Sequence, residues 1–270
     1  MLPDPPKLAF LGCGNMGGAI LSSVLQSSPR AAARVWACDP DEAKLKPFAE
    51  AGATPTTDAV EAVRDADVIV LATKPQIMEK ALAPLRDVAA DKLFVSIAAG
   101  ITGNFLAERL PGARIIRTMP NTPVLAGKGA IAVANGPKAT EADVDYVVKR
   151  LFAGSLVVEM HESQIDAATA VSGSGPAYFF AFVEALAAAG AKAGLPADDA
   201  MELAKQTLIG AAALLEQTGE EPAELRRRVT SPGGTTAAAL AAFEAGGLAD
   251  LVDQAVTAAD RRGRELAAGG

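Results

Sequence analysis

Three glycines follow the first apolar run of the chain, within the hexapeptide Gly12-Cys13-Gly14-Asn15-Met16-Gly17. The spacing is G-x-G-x-x-G, and it stands between a strand-like and a helix-like segment, the context typical of dinucleotide binding. Gly12 permits a tight turn, Gly14 lets a pyrophosphate approach the backbone, and Gly17 lets the helix pack on the strand. N–H groups at the start of the helix then face the phosphates. The motif predicts a nucleotide cofactor site; a purely structural glycine turn is the alternative.

Asp39 ends the second strand-like run, 22 residues after Gly17. A carboxylate there can accept both hydroxyls of the adenosine ribose, and it would repel a 2′-phosphate. None of the next four residues is a cation, and Lys44 is the first. The sequence therefore favours NADH over NADPH, with NADPH not excluded. In the alternative interpretation, Asp39 only caps a helix that starts at Asp41.

Two later loops are expected on the same edge of the sheet as the glycine turn. Thr73-Lys74-Pro75-Gln76 follows the most apolar strand-like run, and Ala98-Ala99-Gly100 follows the next one. In a doubly wound parallel sheet, loops at the carboxyl ends of the strands line the ligand crevice. The small residues of the second loop would let a nicotinamide ribose lie against the backbone.

Strand-like and helix-like segments alternate through the first half of the chain. The strand-like segments are residues 7–13, 34–39, 67–73, 93–98 and 114–118, and helices are expected at 16–27, 41–51 and 76–88. The run 67–73 is almost continuous Val, Ile and Leu, as in a central parallel strand that is covered on both faces. This alternation predicts an α/β fold with a doubly wound parallel sheet.

The second half of the chain is predicted to be all-helical. Beyond residue 160 we expect no strand, and helices at 163–170, 176–193, 197–216, 222–229, 235–245 and 248–267. We place the domain boundary so that residues 1–161 form the dinucleotide-binding domain and residues 162–270 the helical one. The helices are rich in Ala and apolar on more than one face, which is typical of buried helices. We therefore expect the helical domain to pack against a second copy; tight packing within one subunit is the alternative.

Composition excludes several classes of function. The chain has 270 residues and a net charge of −7, which disfavours broad binding to nucleic acid or anionic membranes. Cys13 and Cys38 are its only cysteines, and we expect two buried thiols in a reducing cytosol, hence a cytoplasmic protein. With His161 the single histidine and no Cys-x-x-Cys pair, no metal site is expected. No signal peptide or membrane span is expected either.

Five motifs distributed along the chain point to one family. They are GCGNMGGAI at 12–20, TKPQ at 73–76, TMPNTP at 118–123, VSGSGPAY at 171–178 and VTSPGGTT at 229–236. With them the chain resembles the pyrroline-5-carboxylate reductases over nearly its whole length. The resemblance implies a Rossmann-type domain followed by an all-helical dimerisation domain, in a homodimer or a ring of dimers such as a homodecamer. It also implies NAD(P)H-dependent reduction of 1-pyrroline-5-carboxylate to L-proline.

The resemblance also implies roles for individual residues. Cofactor contacts are expected at Gly12, Cys13, Gly14, Asn15, Met16, Gly17, Asp39, Ala72, Thr73, Lys74, Pro75, Ala98, Ala99 and Gly100. Substrate contacts are expected at Glu162, Val229, Ser231, Gly234, Thr235 and Thr236, and Thr236 matches the threonine usually proposed as proton donor. The chain departs from the family pattern at Ala59, where an Asn is common, at Arg228, where a polar residue is common, and at Glu221-Pro222, which replaces His-Pro.

These residue types suit the reduction of an imine. The segment Ser231–Thr236 is a glycine-rich turn before a helix, whose N–H groups can hold a carboxylate without an arginine. The Thr236 hydroxyl can donate or relay a proton to the ring nitrogen, and a Glu162 carboxylate would stabilise a cationic imine. The alternatives are structural: Ser231 or Thr235 caps a helix, and Glu162 only begins one.

Two other functions compete with imine reduction. A β-hydroxyacid dehydrogenase needs a catalytic lysine on a helix of the second domain, where Lys192 and Lys205 are the candidates, and neither lies in a matching glycine-rich motif. A non-catalytic nucleotide sensor would bind the cofactor without turnover. The segment 172–176 is no nucleophile elbow because no strand is expected before it. His161 has no evident triad companion, and we interpret it as a surface or hinge residue.

Overall fold

Eight strands form a single sheet in the computed structural model, which describes residues 2–3, 5–27 and 29–268. The outermost residues of the predicted domains, 1 and 269–270, therefore lie outside the described residues. The strands are β1 (Leu8–Leu11), β2 (Val35–Cys38), β3 (Thr54–Thr56), β4 (Val68–Leu71), β5 (Leu93–Ser96), β6 (Arg114–Met119), β7 (Ala130–Asn135) and β8 (Leu156–Glu159). Their order is β3-β2-β1-β4-β5-β6-β7-β8, and every neighbouring pair is parallel except β6 and β7. The chain reverses its winding direction between β1 and β4, which makes their carboxyl ends the switch point of the sheet.

The central strands are buried because their successive apolar side chains lie on opposite faces of the sheet and both faces are covered. Phe10 and Val70 belong to the apolar layer on one face of the sheet, and Leu11 and Ile69 belong to the layer on the other. All four residues of β4 are buried, as expected of a parallel strand covered on both faces. The five predicted strands are confirmed, with ends within two residues of those predicted.

Three strands were not predicted from the sequence. β3 is the three-residue segment Thr-Pro-Thr, too short to show a pattern. β7 contains three alanines, which are more typical of helices, and β8 is largely exposed at the edge of the sheet. Beyond residue 160, no strand occurs among the described residues, as predicted.

Six α-helices lie in the Rossmann-type half of the chain, counted over the residues that the structure describes. They are α1 (Asn15–Ser27), α2 (Glu42–Glu50), α3 (Ala59–Asp65), α4 (Met78–Leu82), α5 (Gly103–Arg109) and α6 (Glu141–Tyr146). α1 and α2 are confirmed. α3, α5 and α6 were missed, although the side chains of Asp58, Thr102 and Thr140 cap their first turns.

The prediction of one continuous helix over 76–88 is wrong. Only the short α4 is α-helical there, and 3-10 turns at Pro75–Ile77 and Ala83–Val88 flank it. Pro75 and Pro84 carry no backbone N–H and fix their own φ, so a continuous α-helical ladder across this segment is unfavourable.

The predicted helix over 163–170 is also divided. A 3-10 turn at Glu162–Gln164 leads into α7 (Ile165–Ala168), and a π-helical turn at Thr169–Gly173 follows. The Thr169 hydroxyl donates to the carbonyl of Ile165 at 2.7 Å, and the Ser172 hydroxyl donates to that of Ala168 at 2.9 Å. Such side-chain bonds to preceding carbonyls compete with the regular helical ladder.

Five further helices follow within the described residues, all close to their predicted bounds. They are α8 (Gly175–Lys192), α9 (Ala197–Thr218), α10 (Pro222–Arg228), α11 (Thr235–Ala245) and α12 (Leu248–Ala268). Two compact units result: residues up to Ser174 together with those from Ala258 onward, and Gly175–Thr257. The helix α12 belongs to both units, so this division by packing is not the same as a single boundary after residue 161. The boundary after residue 161 stays a prediction.

No single helix among the described residues is long and apolar enough to cross a membrane. By length and composition alone, the pair α11 and α12 meets that test together, with a bend of 53° between the two helices.

Candidate active site

The glycine turn joins β1 to α1 at the switch point of the sheet. Gly12 has a φ of +103°, and a Cβ at this residue would lie 2.6 Å from the carbonyl oxygen of Ala72. A Cβ on Gly17 would overlap the carbonyl oxygen of Gly12, whereas one on Gly14 would meet nothing within 4 Å. Gly12 and Gly17 are thus required by the packing of the protein itself. The open space at Gly14 fits the close approach of a pyrophosphate to the backbone.

The other predicted cofactor residues of the first domain lie along the same edge of the sheet. Ala72 follows β4, and its N–H donates to the carbonyl of Leu11 on β1 at 2.8 Å. Ala98 follows β5 and is buried. Since β1, β4 and β5 are adjacent and parallel, the structure brings together the three predicted segments, which are residues 12–17, 72–75 and 98–100.

Asp39 is buried beside the glycine turn. One of its carboxylate oxygens accepts the N–H of Cys13 at 2.9 Å, and the other accepts the N–H of Asp41 at 3.0 Å. The Lys44 ammonium lies 3.4 Å from the second oxygen. The interpretation of Asp39 as a helix cap is wrong, because the side chain of Asp41 caps α2 through the N–H of Ala43. A carboxylate has about four acceptor positions, so these contacts leave capacity for a ribose hydroxyl.

Both cysteines lie at this end of β1 and β2 as buried thiols. Burial, with a smaller contribution from the Asp39 charge, raises the pKa of Cys13 to about 12. The same two causes raise the pKa of Cys38 to about 11. The thiolate is the reactive form of cysteine, so neither residue is suited to act as a nucleophile. Within the described residues, moreover, no cluster of three metal-ligating side chains is present.

Glu162 lies in the first unit, at the start of the 3-10 turn before α7. Its Oε1 accepts the N–H of Gly103 at 2.6 Å and lies 3.6 Å from Nη1 of Arg117. The cap of this turn is the exposed His161, whose Nδ1 accepts the N–H of Ser163. Glu162 is therefore more than a helix-start residue: it connects the beginning of α5 to a buried arginine of β6.

The remaining predicted substrate residues lie in the second unit, in the turn before α11. Gly233 has a φ of +70°, and the N–H of Gly234 donates to the carbonyl of Ser231 at 3.0 Å. Gly234 itself is the N-cap of α11, and no side chain caps the helix. The interpretation that Ser231 or Thr235 caps this helix is therefore wrong. Val229 is exposed before the turn, and Thr236 is half-buried in the first turn of α11.

Comparison with known proteins identifies the family. Residues 162–266 match a family model described as pyrroline-5-carboxylate reductase dimerisation, and residues 7–100 match one described as NADP oxidoreductase, coenzyme F420-dependent. The pyrroline-5-carboxylate reductase of Pseudomonas aeruginosa is 43% identical over 97% of both chains. That of Arabidopsis thaliana is 38% identical over 98% of both. The chain belongs to the pyrroline-5-carboxylate reductase family.

Solved structures of the family share the fold. The pyrroline-5-carboxylate reductase of Coxiella burnetii superposes with a TM-score of 0.90, at 34% identity over 97% of this chain and 98% of that one. The Plasmodium falciparum enzyme, solved with NADP bound, superposes with a TM-score of 0.84, at 29% identity over the same shares. The predicted family is therefore confirmed. So is the predicted fold class, a Rossmann-type domain followed by a helical dimerisation domain.

Three residues at this edge were missed by the sequence analysis. Arg117 and Gly103 contact Glu162, and Leu266 lies near the end of α12, where its Cβ is 3.0 Å from the position of a Cβ on Gly100. All three contacts join segments far apart in the chain. The only sequence signal for any of them is that Arg117 directly precedes the TMPNTP motif at 118–123.

The contrast between two glycines gives a test of the cofactor site. Gly14→Ala should leave the melting temperature of the protein nearly unchanged, because a Cβ there meets no protein atom. The same methyl group occupies the space for a pyrophosphate, so NAD(P)H binding should weaken by about tenfold or more, equivalent to about 1.4 kcal/mol. Gly12→Ala, the matched control, should lower the melting temperature sharply. Thermal melting and fluorescence titration with NADH measure both effects, and normal binding by Gly14→Ala contradicts the placement of the cofactor.

Proposed function

We propose that the protein reduces 1-pyrroline-5-carboxylate to L-proline with NAD(P)H, the last step of proline biosynthesis. Full-length similarity to named pyrroline-5-carboxylate reductases is the observation that carries the proposal. The open position at Gly14 supports it, since it fits a dinucleotide at the switch point of the sheet. We place the enzyme in the reducing cytosol, because its two cysteines are buried thiols.

The turn before α11 provides an anion site for the substrate carboxylate. Gly233 and Gly234 present no Cβ, so the backbone at the start of α11 can approach a ligand closely. The first N–H groups of a helix have no partner within it, and no side chain caps this one. A carboxylate held by these N–H groups would also be stabilised by the helix dipole. Val229, Ser231, Gly234, Thr235 and Thr236 are the proposed substrate contacts from this turn.

In this proposal, Thr236 takes part in supplying the proton and Glu162 stabilises the positive charge of the imine. When bound, the nicotinamide supplies a hydride to the imine carbon, and the product nitrogen carries one more proton than a neutral imine. The Thr236 hydroxyl donates or relays this proton, but a hydroxyl is a poor acid, so water or an already protonated imine is the source. The Glu162 carboxylate stabilises the cationic imine by Coulomb attraction.

A turnover assay tests the proposed function directly. The purified protein should oxidise NADH or NADPH when 1-pyrroline-5-carboxylate is added, and proline should accumulate in equal amount. β-Hydroxyacids should give no reduction of NAD or NADP, which distinguishes the protein from a β-hydroxyacid dehydrogenase. Cofactor binding without turnover of either substrate would instead indicate a nucleotide sensor.

Removal of one hydroxyl tests the role of Thr236. Thr236→Ala should lower kcat by roughly 10- to 1000-fold, the range typical of losing one group that transfers a proton or stabilises the transition state. The dissociation constant of NADH should change little, because the proposed cofactor contacts lie in the first unit. Steady-state kinetics and NADH titration on the folded variant make both measurements.

Thr236→Ser is the matched control for that variant. It keeps the hydroxyl and loses one methyl group, so it should retain most of the activity. If Thr236 only begins a helix, both variants should lose about 1 kcal/mol of stability or less and keep their rates. Near-normal kcat in Thr236→Ala would remove Thr236 from the mechanism.

Cofactor choice is proposed to depend on the pair Asp39 and Lys44. The buried carboxylate of Asp39 repels a 2′-phosphate and favours NADH, whereas the Lys44 ammonium beside it attracts that phosphate. Asp39→Ser should raise kcat/KM for NADPH relative to NADH, and Lys44→Met should lower it. A wild-type preference for NADPH of tenfold or more, about 1.4 kcal/mol, would show that the interpretation of Asp39 is wrong.

A homodimer is the proposed assembly, and rings of dimers are compatible with it. The second unit leaves many large apolar side chains exposed, among them Phe179 at 59% and Phe180 at 60%, while its buried apolar side chains are only those of Val183, Ala187, Ala200 and Ala204 among the described residues. So many exposed large apolar side chains are unusual on a monomer and are typical of an interaction surface. The match of residues 162–266 to a dimerisation model supports a second copy as the partner.

Light scattering at micromolar concentration should therefore find no monomer of the wild-type protein. Phe180→Asp places a charge in the proposed interface and should produce monomers or aggregates with little activity. Ile77→Asp is the matched control, because Ile77 is an exposed apolar residue of the first unit. A wild-type protein that is monomeric and fully active would overturn the proposed assembly.

A further inference from the structure

Arg117 is a buried cation of β6 that lies between two carboxylates. Its side chain is 2% exposed; Nη2 is 3.0 Å from Oδ1 of Asp166, and Nη1 is 3.6 Å from Oε1 of Glu162. A buried guanidinium without a partner is strongly unfavourable. The two contacts therefore hold the carboxylates in place as well as the arginine. The planar fork of arginine reaches both carboxylates at once, which a lysine ammonium on its flexible stem does less well.

The two oxygens of Glu162 differ in their contacts. Oε1 accepts the N–H of Gly103 at 2.6 Å and faces Arg117, whereas Oε2 accepts no hydrogen bond from the residues that the structure describes. A Cβ on Gly103 would lie 3.2 Å from Oε2 and 3.5 Å from Oε1. The absence of a side chain at residue 103 therefore lets the carboxylate lie against this backbone.

We propose that Arg117 is a positioning residue for the reduction of the imine. Together with the Gly103 N–H it holds Glu162 by Oε1 and leaves Oε2, on a side chain that is 26% exposed, available to a cationic group. The inference rests on the proposed function, in which Glu162 faces the protonated imine nitrogen. Arg117 itself touches no reacting atom in this proposal, and its effect passes through the orientation of Glu162.

A second arginine of β6 provides a control that distinguishes a positioning role from a general effect on stability. Arg114 lies three residues before Arg117, and its Nη1 donates to Oδ1 of Asp143 at 2.7 Å. Asp143 is 1% exposed and forms the capping box of α6 with Thr140. Arg114 thus makes a comparable buried ion pair on the same strand, but its partner has a structural role.

The first experiment compares kinetics across matched variants. Arg117→Lys and Arg117→Met should lower kcat/KM for 1-pyrroline-5-carboxylate, the Met variant by roughly tenfold or more, while the dissociation constant of NADH stays within about twofold. Arg114→Met should lower the melting temperature without this loss. Equal kinetic losses in Arg114→Met and Arg117→Met would overturn the proposal, because stability alone would then explain both.

A double-mutant cycle tests whether Arg117 acts through Glu162. Glu162→Gln alone should lower kcat/KM for the imine, and adding Arg117→Lys should lower it less than about twofold further. Losses that multiply independently would mean that Arg117 acts elsewhere and would overturn the proposal. If Arg117→Met does not fold, Gly103→Ala gives a further variant: its Cβ would lie 3.2 Å from Oε2 of Glu162, so it should displace the carboxylate and reproduce the kinetic loss.

Amide exchange provides a readout that does not require activity. The Gly103 N–H should exchange faster with solvent in Arg117→Lys than in Arg114→Lys, because only the first substitution loosens the acceptor carboxylate. Failure of the wild-type protein to turn over the imine would overturn the proposed function and leave the arrangement of Arg117 and Glu162 untouched. Unchanged Gly103 exchange in Arg117→Lys would end the positioning role, whatever the activity.

Discussion

The close approach of two backbone segments, at residues 12 and 72, is the constraint on which the proposed cofactor site depends. The turn after β1 passes so near the end of β4 that a Cβ at residue 12 would lie 2.6 Å from the carbonyl oxygen of Ala72. The contact lies at the ends of the paired strands β1 and β4, at the point where the sheet reverses its winding. The start of α1, the loop at 73–75 and the loop after β5 lie along the same edge of the sheet. A Cβ on Gly14, two residues further along the same turn, would meet no atom within 4 Å.

The Asp39 carboxylate connects a third strand, β2, to the glycine turn. Asp39 follows β2, and its bond to the N–H of Cys13 connects the end of β2 to the glycine turn. The adjacent Lys44 partly compensates the buried charge at 3.4 Å. The net effect of Asp39 and Lys44 on a ligand phosphate is therefore the difference between two opposite charges, so the spacing of Asp39 in the sequence does not by itself decide the choice of cofactor.

Local patterns predicted much of the fold, and the errors arose both from long-range strand pairing and from local side-chain bonds to the backbone. Continuous apolar runs such as β4 and the glycine spacing could be recognised because each is encoded within about ten residues. The strand β7, rich in alanine, owes its conformation to antiparallel pairing with β6, and the divided helix at 162–173 depends on side-chain bonds to the backbone. In the site, the edge residues 12–17, 72–75 and 98–100 followed from topology. Arg117 did not, since its partners lie 45 and 49 residues later in the chain.

In the proposed mechanism, the charge that faces the imine is fixed before any ligand binds. Arg117 and the Gly103 N–H both contact Oε1 of Glu162, so the fold of the first unit itself orients the carboxylate that we propose to stabilise the cationic imine. Groups fixed in advance need little reorganisation during a reaction, and this lowers the barrier more than equally strong groups that must first be oriented. A guanidinium in direct contact with the imine would disfavour the protonated form that accepts the hydride, so the proposal gives Arg117 an indirect role through Glu162.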